Sequence, residues 1–230
     1  MHYHNIPPHN LKEIVDGIVW LIEHREESEE EKGRGLRARV TGPDFPTGGF
    51  IVGRAGIDAA YHTGRGSLTV RGRTAVEDIG KGERQAIIIT EIPYQLNKTR
   101  LIEKIAELVR EKSLDGISDL RDESDRQGMR VVVELKRGEV PEVVLNNLYK
   151  QTPLQTTFGV IMLAIAGGRP RVLSLLDLVE RFIAFRHEVV QRRTEFELRK
   201  AEARAHILEG LKVALDHLDA VIRLIRAAPN

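Results

Sequence analysis

Asn5-Ile6-Pro7-Pro8-His9-Asn10 places an aliphatic residue in front of two prolines. Prolines fix their own backbone and exclude the preceding residue from helical geometry, so Ile6 is presented from a stiff support. A stiff apolar wedge is what a protein needs to pry open a base step and kink a duplex. The same residues also fit a hydrophobic staple, with Ile6 folded back near Val15 on the helix that follows. The residues alone leave both readings open, and staples are the commoner arrangement.

Arg65, Arg71 and Arg73 form a second group with chemical potential. Between residues 54 and 73 only Asp58 opposes these three and Arg54. Arginines alternating along a strand face can track a phosphate backbone, and they can equally be an ordinary solvated sheet face. Gly64-Arg65-Gly66 lacks the lysine and hydroxyl of a triphosphate-binding loop. His2, His4 and His9 have no carboxylate or cysteine nearby to complete a metal site, and the prolines splay them apart. Asp122, Glu123 and Asp125 cluster without a partner histidine or a second acidic group, which reads as a structural loop far better than as a hydrolase centre. Tyr3, Tyr61, Tyr94 and Tyr149 have no neighbouring arginine that would mark an activated nucleophile.

Composition narrows the classes. The chain has 230 residues, 41% of them hydrophobic, which is enough for a real core. Lys and Arg number 35 against 34 Asp and Glu, so any nucleic-acid surface must be local. Zero cysteines exclude a disulfide framework and thiolate metal sites. With no apolar signal core and no run of eighteen apolar residues, the sequence reads as soluble, cytoplasmic and without membrane partners.

The elements that would position these groups run helix, acidic linker, α/β region, long helix. Asn10 and Glu13 predict a capped helix with Leu11, Ile14, Val15, Ile18, Val19 and Ile22 on one side, ending by Arg25. The charged run Glu26 to Lys32 reads as a loop, and Gly42-Pro43-Asp44-Phe45-Pro46-Thr47-Gly48-Gly49 as a shaped turn. Expected next are a strand at Phe50 to Val52 and a helix from Ala55 to His62, stopped by Gly64. One strand from Ser67 to Val76 follows, with Arg65, Ser67, Thr69, Arg71 and Arg73 on its outer face. A turn at Gly80-Lys81-Gly82 leads to a buried strand from Gln85 to Glu91, and Asn97 caps another helix. Leu120 to Asp125 reads as a loop, Met129 to Lys136 as a strand, Pro141 to Tyr149 as a helix and Val160 to Ile165 as a strand. The sum is an α/β (α+β) domain with a mixed sheet of four or five strands.

From Ser174 to about Ala227 the pattern predicts one uninterrupted helix, capped by Ser174 and Asp177 and stopped by Pro229. Ala201, Ala205, Leu208, Leu211, Leu215, Leu218, Ile222 and Ile225 recur at spacings of three and four, a coiled-coil seam that needs a partner. Its middle, from Arg186 to Arg204, is densely charged and reads as a solvated face.

Taken in order, Ile6-Pro7-Pro8-His9-Asn10-Leu11, Gly42 to Gly49, Thr63-Gly64-Arg65-Gly66, Glu91-Ile92-Pro93-Tyr94-Gln95, Leu101 to Ala106, Leu120 to Asp125, Asn146 to Tyr149, Arg192-Arg193-Thr194 and His206 to Gly210 resemble bacterial type IIA topoisomerases, the DNA gyrase A subunits more than those of topoisomerase IV. The resemblance covers nearly everything from Asn5 onward. It implies a tower domain at 5–173 and a first coiled-coil arm at 174–230, with residues 1–4 foreign to the family. Family members carry their DNA-cleaving tyrosine, directly after an arginine, upstream of the Ile-Pro-Pro-His-Asn segment, so this piece is expected to be catalytically silent alone. The resemblance assigns Ile6 as a wedge that bends the gate duplex and places double-stranded DNA against the Arg65, Arg71 and Arg73 face. It further implies work with the DNA gyrase B subunit, which binds Mg²⁺ and ATP, and with a second A subunit, and it allows a homo-oligomer through the long helix. No cofactor is expected in this chain. The run from Glu26 to Arg37 departs from the family pattern.

Overall fold

The computed structural model describes residues 4–80 and 84–228. The expected features at His2, Tyr3, Lys81-Gly82 and Pro229 lie outside these residues. The first compact unit ends at Glu180 and the second begins at Arg181.

α1 (Leu11–Glu23) starts where Asn10 Oδ1 accepts the amides of Lys12 at 2.9 Å and Glu13 at 3.3 Å. The supposed acidic loop instead leads into a second helix, α2 (Glu29–Arg39). Ser28 and Glu31 cap each other's backbones in a reciprocal box, and Glu30 pairs with Arg34 one turn on. Leu36 is buried against α1, where a side chain at Gly17 would collide with it. A charged sequence therefore becomes a helix because its caps and one buried leucine supply what its composition lacks.

β1 (Phe50–Val52) leads to α3 (Ala55–Thr63), which Gly64 closes in the left-handed region at φ 74°. β2 (Arg65–Arg71) and β3 (Arg73–Ile79) replace the single strand expected from Ser67 to Val76. Gly72 separates them. Its amide donates to Leu154 O at 2.8 Å, and an added Cβ would lie 2.6 Å from Glu91 O, so only glycine lets the chain pass there from one sheet to the next. β4 (Arg84–Glu91), α4 (Lys98–Arg110), β5 (Ile117–Asp122), β6 (Val131–Leu135) and α5 (Pro141–Gln151) follow. The polar stretch at Leu120 to Asp122 is thus edge strand rather than loop. β7 (Gln155–Ile161) and β8 (Leu163–Ala166) divide the expected Val160 to Ile165 strand at buried Met162, and β9 (Arg169–Val172) completes the hairpin.

The described strands form three sheets, ordered β1-β2-β7, β3-β4-β6-β5 and β8-β9, with every pairing antiparallel. The α+β class and the long C-terminal helix match the sequence reading. The single mixed sheet does not, because Gly72 and Met162 each redirect a strand. The main core sits between one face of the four-stranded sheet and helices α4 and α5, joining Ile87, Ile89, Val131, Val133 and Leu135 to Leu101, Ile105, Val144 and Leu148. On the opposite face Ala86, Ile88 and Val132 are also buried. That face carries the ion pairs Arg130–Glu77 at 2.7 Å and Arg121–Glu134 at 2.5 Å.

The long helix begins as expected, with Ser174 Oγ accepting the Asp177 amide at 3.0 Å. It is not uninterrupted. α6 (Leu175–Asp216) spans 42 residues and α7 (Leu218–Ala227) follows a break at His217, whose φ of −124° and ψ of 36° lie outside the helical well. No breaker residue marks this position. Helices owe most of their stability to tertiary packing, and Leu211, Leu215 and Leu218 around the break are all more than half exposed.

Candidate nucleic-acid interface

Ile6 is 41% exposed, and Val15, its expected staple partner, is 45% exposed. The support beneath Ile6 is fastened on three sides. Asn5 exchanges backbone hydrogen bonds with Ile161 at 3.0 and 3.1 Å, adding a bridge on the edge of β7 away from β2, and Asn5 Nδ2 donates to Gly159 O at 2.7 Å. The Asp44 amide donates to Pro8 O at 2.9 Å, and the Asp44 carboxylate accepts Asn10 Nδ2 at 3.2 Å. His9 Nδ1 lies 2.8 Å from Pro7 O, and His9 Nε2 lies 2.8 Å from the Tyr61 hydroxyl. A carbonyl only accepts, so Nδ1 carries the proton and Nε2 of the neutral ring accepts from Tyr61. Burial lowers the pKa of His9 and raises that of Tyr61, which keeps both neutral.

The anchor on β7 brings Ile6 to a defined end of the first sheet. Ile161 pairs with Asn5 on one side and Arg65 on the other, so the three stand in one row across the strands. At about 4.8 Å per strand, Arg65 and Asn5 are about 10 Å apart. The Arg65 side chain is exposed and makes no hydrogen bond or ion pair among the described residues. Ser67, Thr69 and Arg71 continue the same face of β2, opposite Gly159, Thr157 and Gln155 of β7. Phe50 and Val52 of β1, opposite Arg71 and Thr69, leave their apolar side chains exposed there.

The three arginines are not equivalent. Arg71 Nε donates to Gln155 Oε1 at 2.5 Å, and its guanidinium lies 4.8 Å from the Tyr149 ring centroid. Arg73, beyond Gly72 and in the other sheet, pairs with Glu91 at 3.0 Å and covers the Phe50 ring at 4.3 Å. Glu91 also accepts the Gly49 amide, and this bond, followed by Arg73, holds its carboxyl below the usual glutamate range. Phe45 packs on Tyr94 and Phe158, both with ring centroids 5.3 Å away. The proline-glycine turn and the Glu91 to Tyr94 segment are therefore two sides of one contact.

The acidic group at Asp122 to Asp125 is occupied. Asp122 pairs with Lys98 at 2.6 Å and accepts Ser124, contacts that pull its carboxyl down to about 2. Glu123 bridges Arg121 and Arg130. Among the described residues no three histidine, aspartate or glutamate side chains could together hold a metal ion. Tyr61 escapes a reading of the sequence because 52 residues separate it from His9. Phe50 and Val52 carry a weak signal, as alternate residues of a short strand beside a basic one.

A sequence profile for the A subunit of DNA gyrase and topoisomerase IV matches residues 3–230. The chain belongs to that family. It is 58% identical over 227 residues to the DNA gyrase A subunit of Pseudomonas aeruginosa, covering 98% of this chain and 24% of the relative. The gyrase A protein of Clostridium acetobutylicum is 57% identical over 224 residues, with 97% and 26% covered. That of Escherichia coli K12 is 56% identical over 226 residues, with 98% and 25% covered. The chain thus spans about a quarter of the length of these relatives. The segment bearing Ile6, the strand with Arg65 and the broken long helix all lie within the stretch matched to the gyrase A family, and the long helix suits a coiled coil. No helix among the described residues of this family member is long and apolar enough to cross a membrane.

Proposed function

We propose that this chain is the part of a gyrase A-type protein that cradles and bends the gate duplex. The observation that carries the proposal is an exposed Ile6 on a fastened support, one strand row from Arg65, which has no partner among the described residues. An apolar side chain inserted at a base step needs a backing that does not yield, and a cation beside it can hold the adjoining phosphates. Ser67 and Thr69 extend the track with hydroxyls suited to phosphate oxygens. Arg71 and Arg73 flank it, with their charge shared with Gln155 and Glu91.

In the whole enzyme this piece works with a second A subunit and with the B subunit, which handles Mg²⁺ and ATP, in the cytoplasm. The cleaving tyrosine belongs outside these residues, so the isolated chain neither cuts nor relaxes plasmid, with or without Mg²⁺. The test is anisotropy of a labelled duplex of about 30 base pairs across a salt series. Contact with three phosphates gives a log–log slope of about −3. Ile6→Ala weakens binding without changing that slope. Absence of binding at low salt, or covalent protein–DNA adducts, overturns the proposal.

A second reading is favoured by the apolar residues left open on the second unit. Leu215 is 71% exposed, and Leu224 and Ile225 are 73% and 66% exposed. This reading makes the fragment a self-association module, and it fails if sedimentation shows only monomer at high concentration.

A further inference from the structure

We infer that His9 and Tyr61 are positioning residues for the wedge, acting through the peptide that carries Ile6; this rests on the reading of Ile6 as the bending element. Three observations carry it. First, the His9 side chain reaches back to the wedge backbone, where Nδ1–H donates to Pro7 O at 2.8 Å, one residue from Ile6. Second, the other ring nitrogen is held by the Tyr61 hydroxyl at 2.8 Å, and that contact fixes the tautomer that lets Nδ1 donate. Third, Tyr61 is 3% exposed on α3, a helix seated directly on β2. Gly56 and Gly66 make that seating close, since a Cβ at Gly56 would meet Ser67 O at 2.0 Å and one at Gly66 would meet Gly56 O at 2.4 Å.

The chain of contacts therefore runs from Ile6 through Pro7, His9, Tyr61 and α3 to the strand that carries Arg65. Asn5 and Ile161 close the loop from the other side. Wedge and phosphate contact are tied to one frame by two routes. The histidine–tyrosine route is the one that runs through two side chains, whereas the Asn5 route rests on its backbone pairing with Ile161 and one bond from its amide to Gly159 O. Removing the Tyr61 hydroxyl leaves His9 free to take the other tautomer, in which Nδ1 no longer donates and the Pro7 carbonyl loses its partner.

The test uses the full 230-residue chain in two arms. In the free protein, ¹⁵N relaxation reads the Ile6 amide and ¹⁵N shifts read the His9 tautomer. Tyr61→Phe is expected to drop the Ile6 order parameter from about 0.85 toward about 0.6 and to mix the tautomers. His9→Asn keeps a donor near Pro7 O and is expected to preserve more of the Ile6 order than His9→Ala does. Combining Tyr61→Phe with His9→Ala should add nothing further, since both break one route. An unchanged Ile6 order parameter in folded Tyr61→Phe protein overturns the inference.

In the second arm, energy transfer across an end-labelled duplex reads bending. Tyr61→Phe is expected to lose the transfer change that Ile6→Ala loses, with the salt slope intact. If Ile6→Ala bends DNA as well as the parent does, the wedge reading falls, whereas the relaxation arm still decides whether His9 and Tyr61 position residue 6.

Discussion

Arg73 Nε lies 3.0 Å from Glu91 Oε2, the oxygen that also accepts the Gly49 amide. The arginine therefore helps to shape the turn at Gly48 and Gly49, both at positive φ, while Arg65 in the neighbouring sheet has no such duty. Replacing Glu91 with alanine strands the Gly49 amide and is expected to cost about 1–3 kcal/mol in urea unfolding. Arg73→Ala removes a half-exposed pair and should cost less than about 1 kcal/mol.

Arg65→Ala should leave stability within about 0.5 kcal/mol of the parent. Loss of one phosphate contact should reduce the salt slope of duplex binding by about 0.9. Salt titrations of Arg65→Ala and Arg73→Ala side by side would separate a DNA contact from a brace. The expected order is a larger slope change for Arg65.

His9 sets a pH dependence. Burial lowers its pKa in the folded chain, while its bond to Pro7 and the charges of Glu13 and Asp44 pull the other way more weakly. The unfolded chain therefore takes up the proton first as pH falls. The stability contributed by neutral His9 is complete above about pH 6.5 and is lost as the pH drops through the lowered folded value. Thermal midpoints measured from neutral to mildly acidic pH should show this decline. His9→Asn, which cannot protonate, should flatten it.

Gly56→Ala tests how closely α3 must approach β2. The new methyl would sit 2.0 Å from the Ser67 carbonyl oxygen, and both sides of the clash are backbone. Separation of helix and strand should cost about 1–3 kcal/mol or more, read as a lower urea midpoint. If the midpoint does not move, the seating of α3 is looser than its geometry implies.

Much of this is legible in the residues. Caps announce themselves at Asn10, Asn97 and Ser174, and the alternation of Leu68 and Val70 marks the buried face of β2. Glu29 to Arg39 misleads because its charge density hides the Ser28–Glu31 box. Gly72 is easily passed over because nothing local distinguishes a glycine inside a strand from one where Leu154 and Glu91 leave no room. The candidate site is legible only as parts: Ile6 and Arg65 can be named, but their nearness depends on Asn5, next to Ile6, pairing with Ile161 in the row of Arg65, a contact across 156 residues of chain that no periodicity reveals. The break at His217 has no sequence marker either, since neither a glycine nor a proline stands there.

The anchoring of residues 5–10 also has an entropic consequence. Confining a backbone residue to one conformation costs about 1–2 kcal/mol, and a loose wedge would incur that loss at the moment it met DNA. Here the loss is incurred once, when the chain folds, and is offset by the bonds to Ile161, Asp44 and Tyr61. If Ile6 bends the gate duplex as proposed, what remains at association is the deformation of the duplex itself. Discrimination among sequences would then follow the stiffness of their base steps, with little contribution from any ordering of the protein.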